Sequence, residues 1–227
     1  MIRDYWAVLV AAGEGTRLGG AVRKAAIPVA GRPLACYSLA TMMAHRCCRG
    51  AILVVHRDDL GEAADWVHQA AVDRSRVEIV AGGKQRRQSV VAGLAAISAI
   101  STDLVAIHDV ARPALHGEDL EAVLQRASDQ GAAILAQRVT DTLHRADSDD
   151  LWHSGVDRTS LWQAQTPQVF DLETLRDALQ GATGIATDEA EAVARSGQPV
   201  RFVAANHANP KLTTAADVPW IEALLGR

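Results

Sequence analysis

Trp6-Ala7-Val8-Leu9-Val10-Ala11-Ala12-Gly13-Glu14-Gly15-Thr16-Arg17 runs from an apolar segment straight into a glycine-rich turn. An apolar run with no polar alternation marks a strand buried on both faces, as inside a parallel sheet. A glycine turn at the C-terminal end of such a strand offers free backbone N–H groups to phosphate oxygens. Glycine also lets the backbone come close to them. Any tight strand-to-helix turn can look the same, so Gly13 and Gly15 alone do not choose between the two.

The residues that follow do more. A dinucleotide fold needs a helix immediately behind the loop. Here Gly19, Gly20, Pro28, Gly31 and Pro33 interrupt the chain before the next helical stretch, Leu34 to His45. Gly-Lys-Ser/Thr is absent, so this is not a P-loop. Arg17, Arg23, Lys24 and Arg32 share one stretch that contains no Asp or Glu. Four cations without a counter-charge beside a glycine loop suit a triphosphate, with a solvated basic face the alternative for Arg23 and Arg32.

Further along, Ala51 to Val55, Val77 to Val80, Leu104 to Ile107 and Ala132 to Ala136 repeat the buried-strand pattern. Between them lie helical faces, Val90, Leu94 and Ile97 on one and Leu120, Val123, Leu124 and Ala127 on another. Helical patterns resume near Leu172 and at Asp188 to Arg195. A strand at Val200 to Val203 and a last helix from Asp217, with Pro219 in its first turn, complete the chain. This alternation predicts an α/β fold, a Rossmann-like three-layer sandwich around a mainly parallel mixed sheet.

The alternation breaks from Arg138 to Arg158, a polar stretch with Asp147-Ser148-Asp149-Asp150 as its turn signal. Its length exceeds a simple loop, which predicts a protruding β-arm at about 138–160 on a single domain spanning 1–227.

Composition narrows the function classes. Hydrophobic residues make up 48% and charged residues 22%, as in ordinary globular proteins. A net charge of -4 argues against general nucleic-acid binding. Cys36, Cys47 and Cys48 form no C-x-x-C pair, which suits reduced thiols in a cytoplasmic protein. Neither a signal peptide nor a membrane span is evident.

The segment Ala11 to Lys24 resembles the signature of the sugar-phosphate nucleotidyltransferases, A-G-x-G-T-R followed by a spaced lysine. Later segments narrow the resemblance: Ala81-Gly82-Gly83 with Arg86 and Ser89-Val90-Val91-Ala92-Gly93-Leu94, then Ile107-His108-Asp109-Val110-Ala111-Arg112-Pro113. Val139-Thr140-Asp141-Thr142, Asp157-Arg158, Leu161-Trp162, Gln165-Thr166-Pro167-Gln168, Thr187-Asp188-Glu189-Ala190 and Asn209-Pro210-Lys211-Leu212-Thr213 complete it. In this order they resemble the 2-C-methyl-D-erythritol 4-phosphate cytidylyltransferase family over nearly the whole chain. Val10, Arg23 and His144 depart from the family's usual residues.

The resemblance implies transfer of a cytidylyl group from CTP to a small polyol phosphate, with Mg2+ as cofactor. It implies that Ala11, Ala12, Gly13, Gly15 and Thr16 wrap the nucleotide phosphates and that Arg17 and Lys24 neutralise charge at the α-phosphate. Gly82, Gly83, Arg86 and Ser89 would complete the nucleotide site, although Ser89 equally reads as a helix N-cap. Asp109 would hold Mg2+ or the acceptor's hydroxyls, or pair structurally with Arg112. His108 reads as a packed histidine. Arg112, Thr142, Arg158, Thr166, Thr187 and Lys211 form the implied acceptor set, Arg158 and Lys211 with catalytic roles. The resemblance further implies a homodimer in which Thr142 and Arg158, on the arm, reach the neighbouring subunit's site. The plainer readings make Asp157-Arg158 a surface ion pair and Thr187-Asp188-Glu189 a helix N-cap followed by acids. A ribitol 5-phosphate cytidylyltransferase is the nearest rival. A catalytically inactive nucleotide-binding module and, more remotely, a NAD-dependent oxidoreductase also fit parts of the pattern.

Overall fold

The computed structural model describes residues 1–13, 23–98, 103–181 and 186–226. Gly15, Thr16 and Arg17 lie outside them. Strands β1 (Tyr5–Ala11), β4 (Cys48–Val55), β5 (Val77–Ala81), β6 (Leu104–Asp109), β7 (Ala132–Arg138), β10 (Trp162–Asp171) and β11 (Arg201–Ala204) form one sheet. The short pair β2 (Pro28–Val29) and β3 (Arg32–Pro33) stands apart, as does the pair β8 (Leu143–Ala146) and β9 (Trp152–Val156). The main sheet has the order β11-β7-β10-β6-β1-β4-β5. Its strands pair in parallel except β10, which runs antiparallel to both β6 and β7.

The unbroken apolar runs have a clear physical reason. Successive side chains point to opposite faces, so a strand covered on both sides must be apolar at every position. In β4, Ala51, Leu53 and Val55 enter the core under helices α1 (Leu34–Ala44), α2 (Ala63–Gln69) and α4 (Gly117–Gln130). Ile52 and Val54 enter the opposite core, under α3 (Arg86–Ala96), α5 (Leu172–Gly181) and α6 (Glu189–Arg195). The molecule is therefore the three-layer sandwich its sequence predicts.

Strand β10 was not legible in the sequence. It carries Gln163, Gln165 and Gln168 and has Pro167 in its middle, a pattern that ordinarily excludes a central strand. The structure accommodates the proline where the register with β7 shifts, between Ala164 and Gln168. The strand expected at Val200 to Val203 lies one residue later.

The polar stretch folds as the β8–β9 hairpin, mostly exposed. Asp147 Oδ1 accepts from the Asp149 and Leu151 N–H groups (2.9 and 3.0 Å), and Asp150 takes a positive φ of 60°. Aspartate tolerates that left-handed conformation in turns better than most residues. A third, small core of Val29, Leu34, Leu212 and Ile221 joins the β2–β3 pair to α7 (Val218–Leu225), whose Pro219 sits in the first turn. This core brings the Lys24 segment against the Lys211-Leu212 segment.

Candidate active site

The parallel strands end at a cleft of about 1060 Å3, on the edge where open α/β sheets place ligands. Ala11, Ala12 and Gly13 at the end of β1 line it, with Lys24, Gly82, Gly83, Arg86, Ser89, Asp109 and Lys211. Lys84, from the basic patch with Arg86 and Arg87, and Thr213 also line it, as do His56, Arg57 and Gln85, which the sequence had not singled out. Arg57 had a findable signal, since it lies just beyond the C-terminal end of the β4 strand. Among the described lining residues, five are Lys or Arg and one is a carboxylate, Asp109. Such a wall focuses positive potential on an anionic ligand.

Glycines let two parts of the wall approach closely. A Cβ on Gly82 would lie 2.5 Å from Ala12 Cβ and 2.6 Å from Ser89 Oγ. On Gly83 it would lie 2.4 Å from Gln88 Cβ. Gly82 therefore lets the β5–α3 turn press against the end of β1, and Gly83 lets the same turn close onto Gln88 of α3. Ser89 is not the N-cap of α3. Gln85 takes that place in a capping box with Gln88, and the buried Ser89 hydroxyl accepts from the Gly83 N–H at 3.2 Å.

Asp109 organises the cleft's floor. On β6, Val105 and Ile107 face the layer of α3 and α6, so period-two alternation sends Asp109 to the same side. Arg86 opens α3 and Glu189 opens α6, which places both helix starts over the strand's end. Arg86 Nε donates to Asp109 Oδ1 at 2.9 Å, and Lys211 Nζ donates to Oδ2 at 2.6 Å. Arg86 Nη1 donates to both carboxylate oxygens of Glu189 at 2.7 Å. Burial works to raise the Asp109 carboxyl, but Arg86 and Lys211 outweigh it and hold it well below the usual carboxylate range. Burial also raises Glu189, and there it prevails over Arg86. The two cations thus hold Asp109 as the carboxylate.

This quartet decides one of the alternatives for Asp109. The structural Asp109–Arg112 pair is not formed; Arg112 Nη1 donates instead to the Asn209 carbonyl at 2.6 Å. Arg86 lines the cleft and is at the same time engaged by two carboxylates. The counter-charge missing around Arg23 is also supplied from afar, by Asp58 and Asp59 at 2.7 and 3.0 Å.

His108 points the other way from Asp109 and is fully buried. The Asp109 N–H donates to Thr166 Oγ1 (3.1 Å), whose hydroxyl then has His108 Nδ1 as its acceptor (3.1 Å). The remaining ring nitrogen, Nε2, meets the Arg112 carbonyl at 3.1 Å and carries the proton. Burial depresses the imidazole to about 4, so it is neutral, a packed histidine as the sequence suggested. Thr166 and Arg112 consequently buttress Asp109 from behind and do not line the cleft.

Lys24 is half-buried, and its Nζ donates to the Leu212 carbonyl at 3.0 Å. The Leu212 N–H donates to the Ala111 carbonyl at 2.7 Å, fixing the Lys211 segment along the β6 end. Thr187 lines a separate recess of about 170 Å3 with Asp188 and Glu189. Asp188 is the N-cap of α6, accepting from the Glu191 N–H at 2.9 Å; the sequence had suggested a cap in this segment. Thr142 and Arg158 are exposed on the arm, 3.4 Å apart, and neither lines the cleft. Asp157 accepts from Thr159, N–H and hydroxyl, and an Asp157–Arg158 pair is not present among the described ion pairs. Outside the cleft, His116, Glu118 and His207 cluster, but the two imidazoles stack face to face at 3.6 Å. The in-plane lone pairs of stacked rings do not converge on one ion.

A family model for 2-C-methyl-D-erythritol 4-phosphate cytidylyltransferase matches residues 5–227. The chain belongs to this family. It is 38% identical to the 2-C-methyl-D-erythritol 4-phosphate cytidylyltransferase of Ectopseudomonas mendocina (strain ymp), over 97% of this chain and 95% of that protein. The enzyme of that name from Xanthomonas campestris pv. campestris (strain 8004) is 40% identical, over 98% of this chain and 84% of its own. Among solved structures, the cytidylyltransferase of Thermus thermophilus superposes with a TM-score of 0.77 at 28% identity, over 100% of both chains. The 4-diphosphocytidyl-2C-methyl-D-erythritol synthase of Anaerococcus prevotii DSM 20548 gives 0.84 at 26% identity, over 99% of this chain and 97% of its own. Membership of the cytidylyltransferase family accounts for the mixed seven-strand sheet. No described helix is long and apolar enough to cross a membrane.

Proposed function

We infer that this chain transfers the cytidylyl group of CTP to 2-C-methyl-D-erythritol 4-phosphate. The products are 4-diphosphocytidyl-2-C-methyl-D-erythritol and pyrophosphate, a step of non-mevalonate isoprenoid biosynthesis. Within the family, the observation that carries this reading is the cleft wall, whose described residues include five cations and one carboxylate. An acceptor phosphate oxygen attacks the α-phosphorus, a new P–O bond forms, and the bond to the β-phosphate oxygen breaks in line. The acceptor is already ionised at neutral pH, so no general base is needed. Bringing two polyanions together is the difficulty, and charge neutralisation with positioning meets it.

In this reading Gly13 and its neighbours cradle the triphosphate while Lys24, with Arg17, neutralises the α-phosphate. Gly82, Gly83 and Ser89 form a close-packed wall suited to a small base. Lys211 and Asp109 present the acceptor, Lys211 to its phosphate and Asp109 to its hydroxyls. Asp109 does not fit a resident metal centre, because Arg86 and Lys211 already neutralise its charge and would repel a further cation, while its remaining lone pairs can still accept from neutral hydroxyls. The Mg2+ of this reading belongs to the donor substrate, whose phosphate oxygens suit a hard cation.

A pyrophosphate-release assay across four nucleoside triphosphates tests the assignment, with methylerythritol phosphate and ribitol 5-phosphate as acceptors. Release is expected to be fastest with CTP and methylerythritol phosphate. Faster turnover of ribitol 5-phosphate would reassign the acceptor, and no release with any pair would return the chain to a non-catalytic module.

The homodimer is a second element of the proposal. Thr142 and Arg158 are exposed and lie outside the cleft lining of their own chain, which supports their serving a neighbour's site. Mixing Arg158→Ala protein with Lys24→Ala protein should then restore activity. A heterodimer has one site with both defects and one with neither. Random reassortment of equal amounts gives about half heterodimers, hence roughly a quarter of wild-type sites. With subunit exchange verified by tagged pull-down, an unrestored mixture places Arg158 in its own chain's site.

A further inference from the structure

Glu189 is a carboxylate only 2% exposed, and it does not itself line the main cleft. Burying such a charge is costly unless it is paired. Its partner is Arg86, held through both carboxylate oxygens at 2.7 Å. Arg86, with its neighbour Gln85, forms the wall between the main cleft and the recess that carries Thr187, since each lines both. Its Nε is committed to Asp109, whose second oxygen holds Lys211.

We propose that Glu189 is a positioning residue for the transfer, acting through Arg86 to fix Asp109 and Lys211 where the acceptor docks. The proposal rests on the cytidylyltransferase reading above. The physical argument is one of degrees of freedom. An arginine has a long side chain whose planar fork can turn toward any nearby anion. In a cleft made to receive two polyanions, an untethered Arg86 would swing onto a phosphate and abandon Asp109. The Glu189 carboxylate occupies the guanidinium from the side away from the cleft. Nε is then the donor that faces Asp109. The quartet Arg86, Lys211, Asp109 and Glu189 is also neutral as a set, so Asp109 keeps its charge without drawing in further cations. The residue's place at the first turn of α6 makes it rigid, because Asp188 caps that helix and Gln168 accepts from the Ala190 N–H at 3.1 Å.

The test is steady-state kinetics of Glu189→Gln, which keeps the shape but loses the charge. The expected result is a fall of at least tenfold in kcat/KM for the methylerythritol phosphate, with KM for CTP within about twofold of wild type. Arg86→Gln should show the same selective loss. The double variant Arg86→Gln/Glu189→Gln should be no worse than Arg86→Gln alone, because Glu189 acts only through that arginine. Should Glu189→Gln fail to fold, Glu189→Asp replaces it. Its shorter reach should draw Arg86 from Asp109 and lower acceptor kcat/KM severalfold with CTP KM unchanged. Acceptor kinetics within twofold of wild type in the folded variant would overturn the proposal. So would equal losses toward both substrates, or losses that add in the double variant. An inactive wild-type protein would instead defeat the cytidylyltransferase reading itself, which keeps the two failures distinct.

Discussion

Lys24→Ala should lower kcat by about 100-fold or more, with little change in the thermal melt. The donor's α-phosphate gains charge as the acceptor oxygen closes on it and pyrophosphate begins to leave. A fixed cation at that point contributes more in the transition state than in the ground state, on the scale of about 3 kcal/mol for one such donor. The structure gives the lysine the necessary fixity, through its bond to the Leu212 carbonyl beside Lys211. Loss of a hydrogen bond of this kind costs about 1 kcal/mol of stability, a few degrees in a chain of this size. Steady-state turnover at saturating CTP, set beside a melt of the same preparation, separates the two effects. Near-normal turnover would remove Lys24 from the chemistry, and a collapsed melt would make it a structural residue.

Removal of divalent metal should abolish turnover entirely, and Mg2+ should restore it. The expectation follows from the donor rather than from a protein-bound ion. Among the described residues five cationic side chains line the cleft, but they must serve two polyanions, and the single lining carboxylate among them is already paired with Arg86 and Lys211. A triphosphate with bound Mg2+ carries less charge and fewer accessible shapes. Activity should therefore follow the concentration of the metal–CTP complex. Titration calorimetry of Mg2+ into the protein without CTP should show no binding of comparable strength. Full turnover after exhaustive chelation would refute this account of the donor. Tight binding of Mg2+ to the nucleotide-free protein would instead put Asp109 back as a ligand, at the expense of one of its two ion pairs.

Much of this was legible in the sequence, and the reasons are local. A strand covered on both faces must be apolar at consecutive positions, so β1, β4, β6 and β7 could be read directly; the edge strand β5 was read from Val77, Ile79 and Val80 around its exposed Glu78. Glycines at the end of β1 and after β5 are required wherever backbone must approach backbone or phosphate, which marked Gly13, Gly82 and Gly83. The turn signal Asp147 to Asp150 marked the arm, because aspartate side chains can hold the backbone of their own turn.

The tertiary structure alone decided the rest, because the deciding contacts are long-range. Strand β10 holds a central place in the sheet despite Pro167, since a register shift against β7 accommodates the missing donor. Sequence proximity suggested Arg112 for Asp109. The actual partners are Arg86 and Lys211, 23 and 102 residues away, with Glu189 a further link behind Arg86. Which helix start lies over the end of β6 depends on the order in which strands were laid into the sheet and on which face each connection crosses. An ion pair in that position costs desolvation on every member, so it forms only where the fold brings the whole set within hydrogen-bonding distance. Local pattern determined the layers of this protein. The packing of α3 and α6 against one strand end determined which charges meet.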